Sequence, residues 1–179
     1  GMAGLTAARL CQKAGLAVTV YDKGRGVGGR CATRRRDDFA FDHGAQFIAA
    51  SDGDFKGAIR NLMVSTTVQR WKGNFQNLPK GVTPFVGSPG MSAIAKKLAH
   101  DLNIYLPVEI AAVVPEPGGL WGLLDTEGRL LGTYDAVLLT CPPEQAKRLT
   151  GSAMDRHFDR PVRMRAVWSV MAAFQRPVP

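Results

Sequence analysis

Two glycines and an aspartate near the start of the chain have the types and the spacing that dinucleotide binding requires. The chain begins GMAGLTAARL, so that Gly1 and Gly4 match the second and third glycines of a G-x-G-x-x-G pattern at a helix start. The first lets a pyrophosphate approach the helix N-terminus, and the second lets the helix pack closely on a sheet. Asp22, which ends the run AVTVYD, can accept hydrogen bonds from ribose hydroxyls. Taken alone, the two glycines fit a plain helix-packing pair equally well.

A glycine-rich loop follows the aspartate and adds groups that can bind phosphate. The run KGRGVGGR holds four glycines, which predict a loop, and it ends in Gly28, Gly29 and Arg30. Backbone amides of the glycine turn and the Arg30 guanidinium can bind the same pyrophosphate. The alternative for Arg30 is a solvated surface side chain, and for Arg35 and Arg36 a solvated charge run is the preferred interpretation.

Apolar periodicity predicts the elements that must position these groups. A helix over residues 2–14 ends at Gly15, and residues 17–22 form a short buried strand of a parallel sheet. A second helix is predicted over residues 90–102, capped by Ser92, and a second buried strand over residues 135–143. Weaker patterns predict a helix over 54–62, a strand over 66–71, strands around turns at 117–119 and 127–128, a short helix over 144–150 and a strand within 162–174.

This order of elements predicts the α/β class. We expect a Rossmann-like parallel sheet with helices and a β-hairpin layer, interrupted by a mixed α+β insertion. We expect an N-terminal nucleotide-binding segment over residues 1–36 and an insertion over 37–89. The chain is then expected to return to the nucleotide-binding domain over 90–150 and to begin a substrate domain over 151–179.

Composition narrows the class of protein further. With 45% hydrophobic and 21% charged residues the chain is typical of globular proteins, and no apolar run approaches the roughly eighteen residues of a membrane span. Cys11, Cys31 and Cys141 have neither disulfide nor metal-ligand spacing, so we expect no metal site and a cytoplasmic location. The net charge of +8 raises nucleic acid as a partner, but scattered basic residues without interleaved aromatics disfavour it. We expect no membrane partner.

Several motifs, taken in order along the chain, resemble a known superfamily. The combination GxxGLxxA…VxVxDKxxxxGGRxxTRR resembles the flavin-dependent amine oxidase superfamily. The segments FDHGAQFIAASDGDF, VGSPGMSAIAKKLA, DAVLLTCPPEQAKRL and FDRPVRMRAVWSVMAAFQRPVP are similar to its renalase-like branch. The resemblance covers essentially the whole chain and implies FAD as the cofactor.

The resemblance assigns roles to individual residues. It implies that the ADP half of FAD is contacted by the residues Gly1, Met2, Gly4, Asp22, Lys23, Gly28, Gly29 and Arg30. Gly44, Ala45 and Gln46 would lie near the isoalloxazine ring, Ile110 beside adenine through its main chain, and Thr140 and Pro142 near the cofactor. No catalytic residue is assigned; His43 and Gln46 are the candidates near the flavin, and a structural role for His43 is the alternative.

The implied activity is that of an FAD-dependent oxidoreductase acting on a small molecule. In the renalase-like branch the substrate would be NAD(P)H or an isomer, with oxygen as acceptor. An amine oxidase or desaturase of the same superfamily is one alternative, and a non-enzymatic module that binds nucleotides or polyanions is another. The oligomeric state stays open.

Compared with this superfamily, the chain lacks the first strand and first glycine, most of the substrate domain and the C-terminal flavin-binding segment. We therefore expect an internal fragment of a flavoprotein roughly twice as long. Expressed alone, such a fragment is expected to be poorly soluble and to bind flavin weakly or not at all.

Overall fold

The computed structural model describes residues 1–50, 52–72, 78, 82–151 and 162–176. Contacts divide these residues into two compact units. The first unit comprises Gly1, Ala3–Gly26 and Asp101–Val167, and the second comprises Met2, Val27–His100 and Trp168–Pro179, in each case for the residues described. The segment boundaries expected from the sequence, at 36, 89 and 150, stay predictions.

A helix and a parallel strand pair begin the first unit. Helix α1 (Met2–Lys13) buries Leu5 and Ala8, which are three residues apart and therefore share one face. The chain then turns at Gly15, which has a φ of 85° that favours glycine, and enters β1 (Thr19–Tyr21). Strand β1 pairs in parallel with β7 (Asn103–Tyr105). Helices together with a parallel pair confirm the predicted α/β class.

A three-stranded antiparallel sheet completes the first unit. Strands β8 (Ile110–Glu116), β9 (Leu120–Asp125) and β10 (Leu130–Tyr134) follow one another in the order β10-β9-β8. Helix α4 (Pro143–Thr150) packs against β8 and ends at Gly151. These elements confirm the predicted hairpin layer, its turns and the short helix with its glycine stop.

The second unit is a mixed α+β arrangement. Helix α2 (Gly53–Val64) is capped by Asp52, whose carboxylate accepts a hydrogen bond of 3.0 Å from the Phe55 amide. Five side chains from neighbouring elements form the buried core: Ala50, Ile59, Val68, Met91 and Ile94. The remaining elements are β2 (Arg34–Arg36), β3 (Phe39–Phe41), β4 (Ile48–Ala49), β5 (Val68–Arg70), β6 (Pro84–Gly87) and α3 (Ser92–Ala99). Strands β2 and β3 form an antiparallel pair, and the other three form a sheet in the order β4-β6-β5.

Three expectations about elements are wrong. The predicted strand over residues 135–143 does not form, because a strand needs a hydrogen-bonded neighbour, and none of the described strands pairs with residues 135–140; Pro143 already begins α4. Residues 162–174 are exposed and lack regular structure. Ser92 does not cap α3: Met91 is the N-cap residue, and the Ser92 hydroxyl is buried without a hydrogen-bond partner in the described part of the chain.

Candidate dinucleotide-binding site

The Asp22 carboxylate lies beside the N-terminus of α1. Its Oδ2 is 3.4 Å from the Gly1 nitrogen, and its Oδ1 accepts a hydrogen bond of 2.8 Å from the Gly24 amide. The backbone of Asp22 is also fixed, because its amide donates to the Tyr105 carbonyl and its carbonyl accepts from the Val108 amide. The parallel pairing of β1 and β7 thus extends one residue beyond β1 and holds the acid in place.

The two opening glycines have different surroundings. A Cβ atom at Gly4 would lie 2.7 Å from Thr140 Oγ1, which is closer than real Cβ contacts. Gly4 therefore allows α1 to approach the Thr140 side chain closely. Apart from flanking residues, no atom of the described residues lies within 4 Å of a Cβ position at Gly1. Pro142, two residues beyond Thr140, is the N-cap residue of α4.

In the second unit, the glycine-rich loop forms a tight turn. Gly28 and Gly29 have φ values of 118° and 53°, which favour glycine, and residues 29–31 form one turn of 3-10 helix. A Cβ atom at Gly28 would touch the Ala95 side chain of α3 at 3.0 Å. The Arg30 side chain is exposed.

The predicted flavin-proximal segment joins this loop through the backbone. The Arg30 carbonyl accepts a hydrogen bond of 2.8 Å from the Ala45 amide, and a Cβ atom at Gly44 would overlap that same carbonyl. His43 and Gln46, on either side of this contact, are exposed. The structure therefore brings residues 28–30 and 44–45 together, whereas their predicted contacts with a cofactor stay predictions.

These contacts lie within a segment that matches a known family. Residues 1–63 match the NAD(P)-binding Rossmann-like domain. The match spans α1, β1, the glycine-rich loop and most of α2, and it indicates a dinucleotide-binding type of fold for this segment.

Lys23, the residue after Asp22, forms an ion pair with a residue from another part of the first unit. Lys23 Nζ lies 3.2 Å from Glu109 Oε1, and Glu109 precedes Ile110, the first residue of β8. Both side chains are more than half exposed, so this ion pair adds little to stability. The sequence analysis did not identify Glu109, because no local pattern links it to Lys23.

A tyrosine pair beside Asp22 was also missed. The Tyr21 and Tyr134 hydroxyls are 2.7 Å apart, and the Tyr21 ring stacks on Tyr105 with centroids 5.3 Å apart. Burial and the hydrogen bond to Tyr134 raise the pKa of the Tyr21 phenol above its usual range. These contacts connect β1, β7 and β10, and so support the strand that carries Asp22.

Cys31 closes the glycine-rich turn. Its amide donates to the Gly28 carbonyl, and burial raises the pKa of its thiol although Arg30 acts in the opposite direction. A raised pKa lowers thiolate content, so the Cys31 side chain serves packing better than chemistry.

The residues that the structure describes contain no cluster of three or more His, Cys, Asp or Glu side chains placed to hold a metal ion. None of their helices is long and apolar enough to cross a membrane.

Proposed function

We propose that the chain is the cofactor-binding part of an FAD-dependent oxidoreductase of the renalase-like branch. The observation that carries the proposal is the position of Asp22 Oδ2, 3.4 Å from the Gly1 nitrogen, within the segment that matches the Rossmann-like family. A dinucleotide presents ribose hydroxyls to such an acid and its pyrophosphate to the adjacent helix N-terminus. The geometry of the first unit supports both contacts.

The glycines fit an FAD molecule at this end of α1. The close contact between Gly4 and Thr140 is the packing expected of the last glycine in the pattern. Lys23 and the backbone of Ile110 would contact the adenosine part, and Pro142 would lie near the cofactor. We include Met2 among these contacts on the resemblance alone.

By the resemblance, residues 28–30 would add contacts to the ADP half of FAD, and residues 43–46 would lie near its isoalloxazine ring. The positive φ values at Gly28 and Gly29 turn backbone amides into a short concave segment of the kind that binds phosphate, and Arg30 adds a guanidinium. Residues 43–46 would face the isoalloxazine ring, where the backbone amide of Gly44 and the Gln46 side chain would orient it. The Ala45 amide already donates to Arg30, so its contribution is to hold the segment in place.

The chemistry of such a protein needs few acids or bases of its own. Bound FAD supplies hydride acceptance and passes electrons to an acceptor. The residues around it bind, orient and exclude water, which is consistent with the unassigned catalytic residue. The proposed substrate is NAD(P)H or an isomer and the proposed acceptor is oxygen, in a cytoplasmic protein with no nucleic-acid or membrane partner.

The test uses the product of the complete reading frame, titrated anaerobically with candidate reductants. We expect dihydronicotinamide dinucleotides to bleach the flavin absorbance and oxygen to restore it. Bleaching by amines alone would contradict the renalase-like assignment and favour an amine oxidase. A colourless protein that does not bind added FAD, but binds DNA with a steep dependence on salt, would contradict the enzyme and favour a polyanion-binding module.

A substitution links the test to the geometry. Asp22→Ala removes the ribose acceptor and is expected to weaken FAD binding by roughly 10- to 100-fold. Asp38→Ala, at an exposed turn between β2 and β3, is the matched control and is expected to leave the affinity unchanged. Equal affinities for the two variants would contradict the role of Asp22.

A further inference from the structure

We propose that Thr33 and Asp42 form a latch that positions the two loops of the second unit which face the cofactor. The Thr33 hydroxyl donates a hydrogen bond of 2.5 Å to Asp42 Oδ1. Thr33 Oγ1 in turn accepts from the Ser92 amide at 3.1 Å, and Asp42 Oδ1 accepts from the Met91 amide at 3.0 Å. We call these two side chains and their bonds to the start of α3 the latch.

The latch supplies hydrogen-bond acceptors for the first amides of α3, which the helix does not provide itself. The first amides of a helix have no partner inside it, and a side chain at the helix start usually supplies one. Here neither Met91 nor Ser92 makes a side-chain cap, and the Ser92 hydroxyl is buried without a partner among the residues described. Thr33 and Asp42 therefore cap α3 from distant positions in the sequence. The same contacts occupy amides at this helix start that an anion would otherwise use.

Space around the latch is tightly filled. A Cβ atom at Gly90 would lie 2.9 Å from Thr33 Oγ1 and 3.3 Å from Asp42 Oδ1. The Gly87 amide points at the Met91 sulfur at 3.3 Å, and Met91 is completely buried in the core. The hydrogen-bond geometry of the latch is thus fixed by packing on the side of α3.

The latch lies between the two loops in the sequence and completes a ring of contacts. Thr33 is three residues after Arg30, and Asp42 directly precedes residues 43–46. Helix α3, which the latch holds, touches Gly28 through Ala95, and the Ala45 amide bonds back to the Arg30 carbonyl. Each loop is therefore attached once to the other and once, through Thr33 or Asp42, to the same helix end. Loss of the latch removes the hydrogen bonds that attach both loops to the helix end, leaves the contact between Gly28 and Ala95 in place, and weakens the bond between the loops.

The link between the latch and the cofactor rests on the proposed function, because residues 28–30 and 43–46 are the proposed FAD contacts. Thr33 and Asp42 are positioning residues in that scheme. They act on FAD through the loops that they hold, and their own side-chain bonds are directed to α3 and to each other.

The test compares Thr33→Val with Thr33→Ser in the product of the complete reading frame. Valine keeps the shape of threonine but can neither donate to Asp42 nor accept from Ser92, whereas serine retains both bonds. Asp42→Ala and Asp42→Asn form a second pair, since asparagine keeps an acceptor. Ser92→Ala is the control at the same helix end, because its hydroxyl has no partner among the described residues.

The first measurement is amide hydrogen exchange without added cofactor. We expect Thr33→Val to speed exchange at Ser92, Met91 and Ala45 by roughly tenfold or more, and Thr33→Ser and Ser92→Ala to leave those rates near wild type. Exchange at Val113 and Leu123, in the first unit, serves as the reference for global stability. Unchanged exchange at Ala45, or equal acceleration at these reference amides, would overturn the proposal.

The second measurement is FAD affinity. We expect Thr33→Val to weaken binding roughly tenfold or more and Thr33→Ser to restore it. Wild-type affinity in Thr33→Val would overturn the positioning role. If the wild-type protein binds no FAD, the proposed function fails, and the exchange rates still decide whether the latch holds the loops.

Discussion

At the scale of single residues, Gly4 shows most directly how a sequence pattern becomes a geometric requirement. The pattern alone allowed either a cofactor site or a plain packing pair, and the structure shows the packing itself, a Cβ position 2.7 Å from Thr140 Oγ1. The two readings are compatible. In a Rossmann-like segment the last glycine lets the helix pack closely on the sheet, so that the first turn of the helix can reach the pyrophosphate.

We expect Gly4→Ala to destabilise the first unit by about 1–3 kcal/mol, because the added methyl group overpacks against Thr140. Urea unfolding followed by circular dichroism measures the change. Gly57→Ala is the control: outside the backbone of α2 itself, no atom of the described residues lies within 4 Å of its Cβ position, so alanine should stabilise that helix by about 1 kcal/mol. Adding Thr140→Ala to Gly4→Ala should recover much of the loss, and simple additivity of the two changes would argue against the contact.

At the scale of elements, the correct predictions concern helices, strands and turns that depend on residues nearby in the sequence. Helices α1 and α2, strand β5 and the turns around β9 are determined by nearby apolar spacing, caps and glycines, and their positions agree with the predictions. The α3 cap was not predictable in this way, because its hydrogen-bond acceptors, Thr33 and Asp42, are about fifty residues away in the sequence. A local sequence pattern does not reveal a contact between residues so far apart in the chain.

The same distinction explains the strand that does not form. Residues 135–140 are as apolar as β1, and the sequence alone gives both the same prediction. Strand β1 has β7 as a hydrogen-bonded neighbour, whereas residues 135–140 have no pairing strand among those described. Strand formation depends on a second backbone, which composition cannot reveal.

The turn between β9 and β10 gives an element-scale prediction that depends on pH. Asp125 accepts bonds from the Glu127 and Arg129 amides and from Arg129 Nε, at 2.8, 2.9 and 2.8 Å. These bonds, those to Arg129 first, lower the pKa of the Asp125 carboxyl below its usual value. Because the pKa of Asp125 is lower in the folded than in the unfolded state, its ionised carboxylate stabilises the fold fully at pH values above the unfolded pKa, near 3.9. This contribution is lost as the pH falls through the folded-state pKa.

We therefore expect Asp125→Asn to lower the melting temperature at pH 7, and the difference from wild type to shrink as the pH falls below about 3.9. Thermal melts followed by circular dichroism across this range provide the measurement. Glu127→Gln is the matched control, because Glu127 is two-thirds exposed and its bond to Arg129 Nη1 is a surface ion pair. A constant difference between Asp125→Asn and wild type at every pH would contradict the role of the charge.

At the scale of the whole molecule, the described residues bury few large side chains and expose many. The large side chains that are at most 2% exposed among the described residues are Leu5, Ile59, Val68, Met91 and Ile94. Leu138 is 68% exposed, Val167 83%, Trp168 96% and Val170 90%. Leu138 belongs to the apolar segment 135–140, which has no pairing strand among those described. The other three belong to residues 162–174, where apolar side chains recur but no helix or strand forms. Apolar surface of this kind is normally covered by protein.

We expect the 179-residue chain, purified by itself, to bind the dye ANS strongly and to self-associate as its concentration rises, because contiguous apolar side chains face solvent. ANS fluorescence and sedimentation velocity test this directly. Replacing Trp168 and Val170 together by serine removes two of the most exposed apolar side chains, so it should lower both signals without lowering the melting temperature. The matched control replaces the buried Val68 by alanine, which should lower the melting temperature by creating a cavity in the core. A monomeric wild-type chain without ANS binding would show that its apolar residues are covered in solution.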